Sequence, residues 1–146
     1  MLEKLEKKLY LEIPLTKYMQ IKFKKIDNKN LITTAPLAPN INDKKTAFAG
    51  SISTLVTISA WSVCYLKVTQ LGYKDAMIAV IKSDISYRAP ITNTLVCETT
   101  IPTKEEIEIF KNKLKDKKSA SIKINSKIFQ NDTLCVEFKG VYVVKV

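Results

Sequence analysis

The chain of 146 residues contains no histidine, and that absence removes a large part of enzyme chemistry at once. A Ser-His-Asp or Cys-His nucleophile, a histidine general base and a histidine-ligated zinc are all excluded. Any catalysis here must run on carboxylates, hydroxyls, thiols, lysines and backbone dipoles. The thiols are Cys64, Cys97 and Cys135. They lie far apart in apolar runs, form no CxxC pair and no zinc spacing, and read as three buried free thiols. That reading suits a reducing, cytoplasmic setting. Met1 to Lys8 alternates charge with leucine and shows no apolar core of a signal peptide, which points the same way. No metal and no other cofactor is expected.

Lysine and arginine outnumber aspartate and glutamate by 24 to 14, a formal net charge of +10. Arg88 is the only arginine, so the planar fork that reads bases and grips phosphates bidentately is nearly missing. The lysines are also spread over many segments. Nucleic acid is therefore not expected as a partner. A lysine-rich genome or an acidic partner accounts better for the charge, and a phosphate-bearing cofactor such as coenzyme A would also be drawn by it.

These groups must be positioned by a single domain, residues 1–146, whose 46% hydrophobic content suits a globular core. Leu2, Leu5, Leu9 and Ile13 form one apolar stripe on a short amphipathic helix, with Glu3 and Lys7 paired on its wet face and Pro14 ending or redirecting it. Residues 20–27 and 30–37 read as strands joined by an Asp-Asn-Lys-Asn turn. Residues 35–45 form a loop rich in Pro, Asn and Asp. From Ala47 to Leu66 the chain then runs about twenty residues without a charge, long enough in principle to span a bilayer. Ser51, Ser53, Thr54, Thr57, Ser59 and Ser62 are too many hydroxyls for a lone lipid-facing helix. The segment reads instead as a buried core helix over about residues 47–67, and no membrane partner is expected.

Further strands are expected over 76–88 and 94–101, with Pro90 between them. Thr103 and Glu106 form a capping box that opens an amphipathic helix carrying Ile107, Phe110 and Leu114. Residues 121–129 alternate as a half-solvated strand, and 133–146 make a long last strand with Gly140 at a bulge or bend. The fold class is α+β. A curled, mostly antiparallel sheet of about six strands wraps a long central helix, with N-terminal and mid-chain amphipathic helices beside it. Trp61, near three turns past Ser51, is expected deep in the core.

The stretch Pro36 to Trp61, PLAPNINDKKTAFAGSISTLVTISAW, resembles the signature of the thioesterase-type family typified by the YiiD C-terminal domain, a hotdog-fold family within the PaaI-like acyl-CoA thioesterases. The matching positions are Pro39, Asn40, Asn42, Asp43, Lys44, Thr46, Ala47, Phe48, Ala49, Gly50, Ser51, Ala60 and Trp61. Ser86-Tyr87-Arg88-Ala89-Pro90 is similar to the Tyr-x-x-Pro strand end of many hotdog thioesterases, and Phe138 to Val143 to their last strand.

The resemblance implies a hotdog domain that hydrolyses acyl-CoA or acyl-carrier-protein thioesters at the N-terminus of the central helix, as a homodimer or a dimer of dimers. It makes the Gly50 amide the oxyanion donor, with Ala49 and Ser51 close by. Asn42 falls where some relatives orient water or thioester, and Asp43 is the nearest carboxylate. Thr46, Phe48, Ala49, Ser51, Thr54, Thr57 and Arg88 make up the implied substrate-binding set, with Thr46 a candidate helix cap. Relatives with a His-Gly-Gly motif carry an Asp or Glu seven residues beyond its second glycine; here that position is Thr57. Threonine is no general base near neutral pH. A second class of function therefore stays open, a non-catalytic acyl-thioester or CoA-binding or scaffolding domain. Ordinary hotdog dehydratase chemistry needs a histidine and is excluded.

Overall fold

The alternation of residues 119–130 and 133–145 produces the longest ladder of the molecule. In the computed structural model, which describes every residue from Met1 to Val146, β5 (Ser119–Gln130) and β6 (Thr133–Lys145) pair antiparallel along their whole length. Four more strands extend the sheet: β1 (Lys22–Ile26), β2 (Asn30–Ala35), β3 (Met77–Tyr87) and β4 (Leu95–Thr100). The order is β1-β2-β4-β5-β6-β3, every neighbouring pair antiparallel. β1 and β3 are thus the two edges.

One face of this sheet carries Leu31, Thr33, Cys97, Thr99, Ile124, Ser126, Phe138 and Tyr142, all buried. Against it lies α3 (Ala49–Gln70), which starts two residues later than the sequence suggests and runs three residues further. Its hydroxyls are accommodated by bonding. Ser59 Oγ donates to Leu55 O at 2.6 Å and Ser62 Oγ to Ile58 O at 2.7 Å. Thr33 and Ser59 share a hydrogen bond of 2.6 Å, and Thr99 and Ser126 one of 2.8 Å. Satisfied in this way, buried hydroxyls cost the core little.

The helix is buried on one side only. Gly50, Thr54, Thr57, Trp61 and Tyr65 follow one another at helical spacing and are all at least partly accessible. This corrects the deep placement expected for Trp61. Its ring is half-buried, stacks on Tyr65 with centroids 5.2 Å apart, and donates from Nε1 to Ile78 O at 3.2 Å. The indole therefore bridges α3 to the edge strand β3.

The N-terminal stripe forms α1 (Leu2–Glu12), with Leu5 and Leu9 buried. Pro14 redirects the chain and also opens a short second helix, α2 (Pro14–Tyr18), consistent with its fitness for a first helical turn. The capping box of α4 (Lys104–Lys117) is present with both bonds, Glu106 N to Thr103 Oγ1 at 3.1 Å and Thr103 N to Glu106 Oε1 at 3.0 Å. Gly140 is not at a bulge: it pairs in regular register with Ser83 and Ile124. A Cβ there would stand 2.8 Å from both the Phe138 and Tyr142 rings, so glycine makes room for two aromatic groups on one side of the strand.

Candidate active site

The loop before α3 is shaped by proline and asparagine. Pro39 lies in the opening turn of a 3-10 segment, Ala38–Asn40, and the next residues close on themselves. Ile41 bridges Ala47, Asn42 N donates to Thr46 O at 2.8 Å, and Lys45 takes a left-handed φ of 63°. The Asn42 side chain holds this turn from inside. Its Oδ1 accepts from Lys44 N at 2.8 Å and Thr46 N at 3.1 Å, while Nδ2 donates to Thr46 Oγ1 at 2.9 Å and Ala47 O at 3.3 Å. Two donors and two lone pairs are thereby all in use.

Asn40 fastens the loop to its surroundings. Its buried Nδ2 donates to Met19 O at 3.0 Å and Pro36 O at 2.8 Å, and its backbone carbonyl accepts from Phe48 N at 2.8 Å. Ala47 N donates to Ile91 O at 2.9 Å. The start of α3 is thus pinned from two directions, by the loop and by the segment after β3.

The helix opens at Phe48, whose extended backbone makes it the N-cap, and no side chain caps the terminus. Thr46 therefore does not cap the helix; its hydroxyl is taken up by Asn42. Phe48 O accepts from Ile52 N at 3.0 Å, so the amides of Ala49, Gly50 and Ser51 are the ones the helix itself leaves without partners. They carry the positive end of a 22-residue helix dipole. Beside them lies a cavity of about 290 Å³, lined on one side by Asn42, Ala47, Ala49 and Ile52 and on the other by Tyr87, Arg88, Ala89, Pro90 and Ile91. Arg88 Nη2 donates to Glu137 Oε1 at 3.3 Å.

Of the residues proposed from the sequence, Asn42, Ala49 and Arg88 line the cavity. Gly50, Ser51 and Phe48 lie on the same helix start but not on its wall. Thr54 Oγ1 donates back to Gly50 O at 2.9 Å, and Thr57 sits further along the accessible face of α3, its carbonyl accepting from Tyr142 Oη at 2.7 Å. Asp43 faces solvent with its side chain 84% exposed and an ion pair of 3.3 Å to Lys44. No carboxylate lines the cavity. The thiols are far from this chemistry in character as well: burial pushes Cys64 up to about 12 and raises Cys97. Ile52 and Ile91 in the wall, and Glu137 as the partner of Arg88, were not anticipated; only the fold brings Ile91 to the helix start and Glu137 to Arg88. Tyr87 and Pro90 were signalled by the Tyr-x-x-Pro run.

Residues 2–146 match the family described as putative thioesterase (yiiD_Cterm). The chain belongs to that family. The putative thioesterase from Shewanella oneidensis is 31% identical, with a TM-score of 0.84 over 99% of this chain and 96% of that one. A protein of unknown function from Chlorobaculum tepidum TLS is 28% identical, with a TM-score of 0.92 over 98% and 93% of the two chains. The E. coli PaaI protein from the phenylacetic acid degradation operon shares the fold at 14% identity, with a TM-score of 0.64 over 96% and 89%. This member of the yiiD_Cterm family thus has the hotdog architecture of thioesterases, six antiparallel strands and a central helix.

Proposed function

We propose that the protein hydrolyses acyl thioesters of coenzyme A or of a carrier protein at the start of α3. The observation that carries this reading is the set of uncommitted amides at Ala49, Gly50 and Ser51 opening beside a largely apolar cavity, in a member of a thioesterase family. The thioester oxygen accepts from the Gly50 amide, and the helix dipole stabilises the negative charge that develops there. Donors already fixed in place need no reorganisation during the reaction. Water attacks the carbonyl carbon, its proton passes to a base, and the tetrahedral intermediate expels the thiolate. Asp43 is the nearest carboxylate on the loop and takes the role of base once its side chain turns inward. Asn42 keeps the loop closed, and Arg88 offers a cation to a phosphate of the leaving thiol.

The lack of any carboxylate in the cavity wall, with Thr57 at the position where relatives carry one, favours a second reading: a domain that binds acyl thioesters without turning them over. Steady-state hydrolysis across a series of acyl-CoA chain lengths separates the two, set beside binding of a thioether analogue that cannot be hydrolysed. Turnover that falls by about 10²-fold or more in Asp43→Asn, with KM nearly unchanged, supports hydrolysis with Asp43 as base. Parent-rate turnover in that variant assigns Asp43 to the loop alone. Binding without turnover on any chain length establishes the second reading.

A homodimer belongs to the same proposal. β3 is an edge of eleven residues that leaves Met77, Val80, Ile81 and Tyr87 exposed, and a second copy paired along it would satisfy its free backbone groups and cover these side chains.

A further inference from the structure

The middle of the edge strand β3 reads Ile81-Lys82-Ser83-Asp84-Ile85. About Ser83 this run is its own complement: isoleucine mirrors isoleucine, and lysine mirrors aspartate. Its charges are not used inside the chain, for Lys82 and Asp84 are exposed and form no ion pair there. Ile81 is the most exposed apolar residue of the strand, at 60%, and the irregular register between Val80 and Lys82 leaves it without a partner in β6. From Lys82 to Tyr87 the ladder to β6 is regular, so side chains alternate between the two faces. Ile85 shares the inner face with its buried partner Phe138, and Asp84 shares the outer face with Lys139.

We propose that two copies of the chain pair antiparallel through β3 with Ser83 on the two-fold axis, a register that rests on the homodimer proposed above and specifies it. Lys82 then lies opposite the partner's Asp84, Asp84 opposite the partner's Lys82, and Ile81 opposite the partner's Ile85. Asp84 stands between Lys139 of its own β6 and the partner's Lys82. Only this register sets each charge against its opposite. A shift of one residue brings side chains of opposite faces together, and a shift of two sets Lys82 against Lys82 or Asp84 against Asp84. The length of the strand suits the same register. The paired span runs from Ala79 to Tyr87, and Ile78, whose carbonyl already accepts from Trp61 Nε1 at 3.2 Å, falls just outside it. Tyr87, a wall residue of the cavity at the start of α3, closes the span opposite the partner's Ala79, so the interface ends at the site.

Charge exchange between copies tests the register. Lys82→Asp leaves two aspartates facing two aspartates, and Asp84→Lys leaves two lysines facing two lysines. Both side chains are exposed, so the variants keep the fold, which circular dichroism checks. In analytical ultracentrifugation each variant alone should raise the dimer dissociation constant roughly tenfold or more. An equimolar mixture of the two should return to about the parent value, because every lysine again meets an aspartate in the mixed dimer. An effect confined to one chain cannot produce that rescue. Single variants that dimerise like the parent, or a mixture no tighter than its components, overturn the register and leave the homodimer intact. A monomeric parent overturns both. Should a charge variant fold poorly, Ser83→Cys decides: a residue on the axis cross-links to its own copy on oxidation, whereas Lys82→Cys and Asp84→Cys, offset from theirs, do not. A dimer that fails to cross-link through Ser83→Cys, or does so through either of the others, likewise overturns the register.

Discussion

Asn42 spends every hydrogen-bonding group of its side chain on its own loop, and this fixes what its removal should do. Asn42→Ala strands the amides of Lys44 and Thr46 and should lower the unfolding free energy by about 1–3 kcal/mol in chemical denaturation. Asp43→Asn, changing a solvent-facing side chain, should leave stability within about 0.5 kcal/mol of the parent. The buried thiols give a pH-dependent counterpart. Cys64 holds its proton up to about 12, against an ordinary value of 9.0, and Cys97 is raised in the same direction by its burial. The unfolded chain loses these protons first, so their contribution to stability is complete below about pH 9 and declines as the pH rises toward 12. Urea midpoints measured at pH 8 and pH 10.5 should fall between the two values, more in the parent than in Cys64→Ala. At this scale the sequence made the residue types visible but not their employment. Asparagine and aspartate side by side suit a turn as well as they suit chemistry, and only the placement of Lys44, Thr46 and Ala47 around Asn42 tells which groups are already taken.

The central helix shows how far patterning reaches at the level of elements. A charge-free run with six hydroxyls announced a core helix, and the bonds of Ser59 and Ser62 to carbonyls one turn back explain how it can be buried. The pattern could not reveal that one side stays accessible, because residues on both faces are small or apolar and the distinction arises only when the sheet covers one of them. Trp61 is the clearest case. Trp61→Ala should cost about 2–3 kcal/mol by thermal or urea unfolding, below the range of about 3–5 kcal/mol for a fully buried aromatic group, since its ring keeps part of its contact with water. Gly140 is read in the opposite sense. Gly140→Ala inserts a methyl group between the Phe138 and Tyr142 rings and should destabilise by about 1–3 kcal/mol, more than a strand alanine at an open position. Its neighbours two residues away on either side were legible in the chain, but their folding toward it was not.

The two edges of the sheet divide the whole molecule into a guarded side and an open one. β1 is only five residues long and carries Lys22, Lys24 and Lys25, which discourages pairing. β3 has more than twice that length and exposed apolar side chains, and it flanks the accessible face of α3 through the Trp61–Ile78 bond. Light scattering at micromolar concentration should therefore give twice the chain mass of 16.5 kDa, and Ile81→Lys, on the most exposed apolar position of β3, should shift it to the monomer. A curled, mostly antiparallel sheet around a helix followed from the succession of elements, whereas the strand order, and with it the contrast between edges, appears only in the structure. Hydrolysis at this site requires that the thioester carbonyl meet the amide of Gly50. The chain has only three glycines, Gly50, Gly72 and Gly140, so their amide signals can be followed individually in a ¹H–¹⁵N spectrum as an octanoyl-CoA thioether is replaced by a carbonyl-bearing, non-hydrolysable analogue. A downfield proton shift at Gly50 that requires the carbonyl, with Gly72 and Gly140 unmoved, is the expected result. A saturated complex in which the Gly50 amide stays at its free position contradicts it.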